Sequence, residues 1–282
     1  MSWGVTGLRV RYGAREVIHE VDLSAPPGRL TCVTGGDGAG KTTLLRALVG
    51  LVRPAAGRIT RPQRHRIGYL PGGESAYADL TVAQNLAFVA RAYRMGTARA
   101  RARTDEVLAS TGLGEVRDRL GGQLSGGMRR RLGVAMALLH EPELVVLDEP
   151  STGLDPLSRT ELSRLITHAV ADGAAVVTST TYLEEAERAG SVLVLDSGHA
   201  LLSGPPAQLA AAVPGTVWSL PTRAPGRTCW RGPDGWRCWG GPGQGDGDAA
   251  ALRAAGARPA AADFASAVMV AGLRAAERRE PR

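Results

Sequence analysis

The sequence predicts an α/β protein built around a parallel sheet, and three observations carry that reading. Between Leu30 and Thr180, short apolar or β-branched runs alternate with stretches of helical periodicity. A glycine-rich loop, Gly35 to Gly40, joins one such run to a helical pattern. A second run, Leu144 to Leu147, is apolar at every position, as a strand buried on both faces requires.

Taken in order, residues 8–34 contain the runs LRVRY, EVDLS and RLTCVT, separated by turn material such as Ala25-Pro26-Pro27-Gly28. They read as antiparallel strands that lead into the core. After the glycine loop, Leu44, Leu45, Leu48 and Val49 fall on one side of a helix that ends at Gly50. Residues 75–140 read as helical, with Thr81 and Gln84 forming a capping box ahead of Val82, Leu86, Val89 and Tyr93. Past Leu147, a helix is expected from Pro156, with Leu162, Leu165, Ile166 and Ala169 facing inward and an end near Asp172-Gly173. A strand over Ala175 to Thr180 and a hairpin turning at Ser197-Gly198 complete the core. Ligands in such folds sit at the carboxyl ends of the strands, which is where the motifs fall. After Pro214 the chain turns rich in Gly, Pro and Trp and then in Ala. That change marks a domain boundary or a poorly ordered loop, and composition leaves the two open.

The 282 residues suffice for one large domain and a small appendage. No segment holds the roughly 18 consecutive apolar residues of a spanning helix, and the opening MSWGVTGLRV lacks the layout of a secretory signal. Any membrane role is therefore expected to come from a partner. Three scattered cysteines argue against a disulfide framework and suit a reducing compartment, so the cytoplasm is expected. The net charge of +7 comes almost wholly from arginine spread along the chain, a coding bias rather than a nucleic-acid patch. Arginines 94, 99, 101 and 103 read as a solvated helix face, and Cys229 and Cys238 with their neighbouring tryptophans as local packing.

Gly35-Gly36-Asp37-Gly38-Ala39-Gly40-Lys41-Thr42 satisfies the pattern GxxxxGK followed by Ser or Thr, between a strand and a helix. Glycines let backbone amides turn in around a β-phosphate, and the helix start adds a favourable field. Lys41 would reach the β- and γ-phosphates and Thr42 would ligate Mg²⁺. Lys41 is the only lysine in a chain that uses arginine everywhere else, which marks a place where a compact point charge is wanted. In LVVLDEP, neighbouring side chains at a strand end point opposite ways, so Asp148 can hold the Mg²⁺ shell while Glu149 takes a proton from attacking water.

Leu124-Ser125-Gly126-Gly127-Met128, followed by Arg129-Arg130-Arg131, resembles the signature motif of ATP-binding cassette (ABC) proteins. Ser151-Thr152-Gly153-Leu154-Asp155 resembles that family's loop across the dimer seam, and Tyr12 resembles its adenine-stacking aromatic. The resemblance runs over about residues 5–210 on at least four ordered motifs. It implies a P-loop NTPase core of the ABC type: an antiparallel β subdomain, an inserted helical subdomain over about 75–140, and a small C-terminal extension. The nucleotide-binding domain is then residues 1–214 and the extension residues 215–282. It further implies ATP and Mg²⁺ as cofactors, with Tyr12, Gly35, Gly36, Asp37, Gly38, Ala39, Gly40, Lys41, Thr42 and Thr43 at the nucleotide. Ser125, Gly126 and Gly127 would close over the γ-phosphate of a second cassette, alike or different, with Asp155 at the seam.

Two positions depart from the family pattern. Gly72 stands where a glutamine usually meets Mg²⁺ and water, and Thr181 stands where the switch histidine usually meets the γ-phosphate. Each lost charge-assisted bond is worth roughly 1.5–3 kcal/mol, about ten- to hundredfold in rate. Binding is expected to survive while turnover slows. The combination of YLP, LTVAQNL and YLEEAE most resembles exporter cassettes for drug or antibiotic efflux, whose separate membrane permease docks near Gly72 to Tyr77. The expected place is the inner face of the cell membrane, as a peripheral subunit. A non-hydrolysing or regulatory cassette is the alternative, ahead of a soluble cassette protein acting on ribosomes or DNA.

Overall fold

The computed structural model describes residues 2–73, 76–225, 227–233, 235–242 and 246–279. The elements run β1 (Trp3–Tyr12), β2 (Arg15–Ala25), β3 (Leu30–Thr34), α1 (Lys41–Val49), β4 (Ala56–Thr60), β5 (Ile67–Leu70), α2 (Val82–Ala92), α3 (Thr97–Ser110) and α4 (Gly126–Leu138). They continue with β6 (Leu144–Leu147), α5 (Pro156–Ala171), β7 (Ala175–Thr180), α6 (Leu183–Ala186), β8 (Ser191–Asp196), β9 (His199–Gly204) and α7 (Pro206–Ala211). The last are β10 (Thr216–Leu220), β11 (Cys229–Gly232), β12 (Gly235–Gly240), α8 (Asp246–Ala254), β13 (Arg258–Ala260) and α9 (Phe264–Arg279). Contacts divide the chain into two compact units, residues 1–200 and 201–282.

In the first unit the central sheet has the order β5-β6-β7-β3-β8, with all neighbours parallel. β6 and β7 are buried at every position, which explains why neither shows alternation. A second sheet, β2-β1-β4, is antiparallel and packs its inner residues (Leu8, Val10, Ile18, Val21) with α1 and one face of the central sheet. α5 covers the other face through Leu162, Leu165, Ile166 and Ala169, the predicted stripe. α2, α3 and α4 form a third cluster of their own around Leu86, Leu108, Leu113 and Leu132.

Local signals in the sequence set the element ends. Thr81 Oγ1 accepts from the Gln84 amide at 3.1 Å while Gln84 Oε1 accepts from the Thr81 amide at 2.8 Å, the complete capping box. α1 stops at Gly50, whose φ of 80° lies in the left-handed region that favours glycine. Asp155 caps α5 by accepting from the Ser158 amide at 3.0 Å, with Pro156 in the first turn. Parallel register then decides what meets at the sheet's carboxyl edge. Leu147 pairs with Thr178 and Thr34 with Thr180, so the chain leaves β3, β6 and β7 at adjacent points.

In the second unit, where composition left the outcome open, the sheet β11-β12-β10-β13 is antiparallel. Alternation along its strands splits the aromatic residues between two faces. Trp218 and Trp236 pack with Cys229, Cys238 and Leu252 of α8, while Trp230 and Trp239 pack with Val270 and Met269 of α9. Cys229 and Cys238 are direct cross-strand neighbours and both are free thiols. Burial, then the nearby Cys229, pushes the Cys238 thiol up to about 11. Asp263 pairs with buried Arg237 at 2.8 Å and accepts from the Ser266 amide at the start of α9.

Candidate nucleotide site

The loop after β3 is shaped by close approach. Gly35 (φ 153°) has Leu195 O within 2.2 Å of where a Cβ would stand, and Gly40 (φ 104°) has the Ile18 methyl at 2.8 Å. The Gly198 amide donates to Ala39 O at 2.9 Å, which fastens the loop to the turn between β8 and β9. Lys41, at the first position of α1 and only 5% exposed, is folded back into its own loop. Its ammonium donates to the carbonyls of Gly35 (2.9 Å) and Gly36 (3.1 Å) and lies 3.2 Å from Glu149 Oε1.

Asp148 and Glu149 follow β6. Asp148 is fully buried, and its two oxygens differ: Oδ1 accepts from Ser179 Oγ at 2.7 Å, while Oδ2 is buried without a hydrogen-bond partner. Glu149 holds φ at 48°, uncommon for a residue with a side chain, and its amide donates to the same Ser179 Oγ at 2.9 Å. One buried hydroxyl on β7 thus fixes both acidic residues. Thr152 Oγ1 donates to Glu149 Oε2 at 3.3 Å. An unpartnered buried carboxylate oxygen is costly unless a cation or donor meets it, so Asp148 fits a divalent ion held also by Thr42 and phosphate oxygens. Among the described residues no cluster of three metal-binding side chains exists. Mg²⁺ beside phosphates usually takes only one or two protein ligands, so such a shell needs no cluster of three.

A cavity of about 900 Å³ opens over these groups, lined by Asp37 to Thr43, Arg46, Asp148, Glu149, Thr152, Gly153, Leu154, Gly126, Arg129, Arg130, Gly72 and Gly73. Arg15 and Val17 of β2 line it on the far side. Gly72 lies against the acidic pair: a Cβ there would stand 3.2 Å from Asp148 Oδ2. Thr181, one residue past β7, is exposed and outside the lining. Tyr12, at the end of β1, is 48% exposed and also outside it. Ser125 caps α4 by accepting from the Met128 amide at 3.2 Å. Gly127 packs against α5, with Ser158 Oγ 2.9 Å from where its Cβ would be. Asp155 is exposed, and its bonds from the Ser158 hydroxyl and amide hold its carboxyl below the usual range. Residues 74 and 75 of the expected docking loop lie outside the described residues.

Sequence reasoning did not single out three residues that matter here. Ser179 is one of three successive hydroxyl residues at the end of a strand, with nothing local to single it out, and Arg130 lies within an arginine run that composition explains. Glu185 is the third: its Oε2 accepts from both Ser151 Oγ and Thr180 Oγ1 at 2.7 Å, joining the loop after Glu149 to the end of β7.

Comparison with known proteins gives the family. Residues 18–152 match the family model described as ABC transporter. The chain is 40% identical over 222 residues to the daunorubicin resistance ATP-binding protein DrrA3 of Streptomyces coeruleorubidus, covering 75% of this chain and 70% of that protein. It is 36% identical over 213 residues to the Nod factor export ATP-binding protein I of Cupriavidus metallidurans, covering 72% and 70%. A solved ATP-binding subunit of an ABC transporter superposes with a TM-score of 0.69 at 28% identity, covering 75% of this chain and 92% of that one. With the phosphate loop, the acidic pair and the signature glycine gathered around one cavity, the chain belongs to the ATP-binding proteins of ABC transporters, of the exporter type, and is an ATPase of that family.

Proposed function

We propose that this chain binds MgATP and couples it to export by a separate membrane permease, as one cassette of a head-to-tail dimer. The observation that carries the reading is the buried, unpartnered Asp148 Oδ2 facing the cavity that Lys41 and Glu149 share. In the mechanism, ATP phosphates take over Lys41, which releases Glu149 from the 3.2 Å contact that now holds it. Mg²⁺, held through Thr42 and Asp148, would supply charge neutralisation at the β- and γ-oxygens. Glu149 then accepts the proton of the attacking water. Ser125, Gly126 and Gly127 of a second cassette close over the γ-phosphate, and Asp155 faces that cassette's phosphate loop.

Residues 1–214 act as the nucleotide-binding domain and 215–282 as a C-terminal extension. Among the described residues no helix is long and apolar enough to cross a membrane, which supports a permease on another polypeptide. The names of the relatives, daunorubicin resistance and Nod factor export, support a drug-class cargo. Gly72 and the exposed Thr181 offer the γ-phosphate neither an amide side chain nor an imidazole, so turnover at this chain's own site is slow. That same pair of positions favours a second reading, a regulatory cassette that binds without hydrolysing.

ATP binding and hydrolysis by the purified chain, with and without a permease, decide between them. Lys41→Ala should lower hydrolysis by about 10²-fold or more, as loss of a charged donor to a transferring phosphoryl group does. Hydrolysis unaffected by that substitution would refute the site; tight binding without turnover in every combination would favour the regulatory reading.

A further inference from the structure

Arg130 lies on the first turns of α4, partly buried, and lines the cavity. An arginine has five N–H donors in one plane, and here each has its own acceptor. Nε donates to Pro150 O at 3.1 Å. Nη1 donates to Pro71 O at 3.4 Å and Gly73 O at 2.9 Å. Nη2 donates to Asp148 O at 2.7 Å and Glu149 O at 2.6 Å. No hydrogen is left for a ligand, so this side chain works on the protein rather than on phosphate.

The acceptors fall in two groups. Three carbonyls belong to consecutive residues 148–150, which carry both acidic side chains; two flank Gly72, on the segment after β5. These segments meet otherwise through the Asp148 amide, which donates to Leu70 O at 2.9 Å. Gly72 has no side chain with which to reach Asp148 or a nucleotide. The only side chain whose hydrogen bonds bridge residues 71–73 to residues 148–150, among the described residues, is Arg130. At the far end of the same loop, Asn85 grips Tyr77 from both sides, accepting from its amide at 2.8 Å and donating to its carbonyl at 3.1 Å. Among the described residues the loop is therefore anchored at entrance and exit, and the tie to the acidic pair lies at the entrance.

We propose that Arg130 is a positioning residue that locks the 71–73 segment to the backbone of Asp148 and Glu149, so that displacement of one displaces the other. Because all five acceptors are neutral carbonyls, the lock leaves the guanidinium charge uncancelled beside the two carboxylates, and the Coulombic pull of Asp148 and Glu149 opposes the desolvation that burial imposes on it. Lysine keeps the charge but offers three donors from one point and no plane, so it cannot span both groups. Where the loop meets a permease, as proposed above, this lock carries permease movement to Glu149; that use rests on the proposed function, whereas the lock itself does not.

The test compares Arg130→Gln and Arg130→Lys with the unaltered chain in amide hydrogen exchange and in ATP turnover. The expected result for Arg130→Gln is faster exchange in the peptides covering 70–73 and 148–152 together. With it should come a fall in kcat on the order of tenfold and little change in ATP affinity, the pattern of a lost supporting contact. Arg130→Lys should fall between. Exchange that rises in one segment only, or a folded Arg130→Lys chain matching the unaltered protein in both exchange and kcat, would overturn the proposal. If no chain hydrolyses ATP, the exchange measurement still decides the lock, and the failure belongs to the proposed function instead.

Discussion

The two walls of the nucleotide cavity are built on opposite plans. On one wall, formed by the loop after β3 and the ends of β6 and β7, the charged groups are held by side-chain hydrogen bonds or ion pairs. Lys41 has two carbonyls and Glu149, Glu149 has Lys41 and Thr152, and Asp148 has Ser179 on one oxygen. On the other wall, Gly72 contributes only backbone; Thr181, one residue past β7, is exposed and lies outside the lining of either wall. If the proposed function holds, the difference makes binding and turnover separable: the groups proposed to hold phosphate are present, and the glutamine and histidine of the family pattern are replaced by Gly72 and Thr181. Arg130 spans the two walls through carbonyls alone.

Four substitutions sharpen or break this contrast. Ser179→Ala removes the hydroxyl that orients Asp148 and receives the Glu149 amide, and leaves that buried amide unpaired. Loss of such outer support should lower Mg²⁺-dependent turnover by about 10- to 100-fold; a Mg²⁺ titration matching the unaltered chain would mean the first wall is not organised by β7. Thr181→His supplies an imidazole one residue past β7, where the family pattern has one. Single-turnover hydrolysis should rise by about tenfold or more, and no rise would show that the missing imidazole does not limit this site. Gly72→Gln is expected to gain less, because its Cβ would stand 3.2 Å from Asp148 Oδ2 and the carboxylate must give way slightly. The smallest effect is Thr81→Ala, which removes the capping box of α2, outside both walls. It should cost about 1 kcal/mol of stability in thermal unfolding and leave ATP affinity unchanged; a change in affinity would mean that the cap of α2 is coupled to the cavity.

Much of the scaffold was legible because its signals are local. The capping box at Thr81 and Gln84, the left-handed stop at Gly50 and the Asp155-Pro156 start of α5 each depend on residues within one helical turn. The phosphate loop was legible for the same reason: its spacing is contiguous, and Lys41 stood out against an arginine-rich chain. The cross-chain contacts were not. Ser179 reaches Asp148 only because β6 and β7 pair in parallel with Leu147 opposite Thr178. Tyr12, assigned to adenine by resemblance, is half-exposed at the end of β1 and outside the cavity lining, so its contact with adenine stands as a proposal.

The sequence by itself determined the helix after the glycine loop, the capped start of α2, the helix from Pro156 and the strands β3, β6 and β7, since hydrophobic period, turn chemistry and motif spacing are properties of neighbours along the chain. Only the tertiary structure decided that Asp148 keeps one buried oxygen unpartnered, that the Gly- and Trp-rich tail closes into a four-stranded sheet, and that Arg130 spends its five donors joining two segments. Those outcomes depend on sheet register and on the packing of residues far apart in the chain, which single-sequence periodicity does not encode.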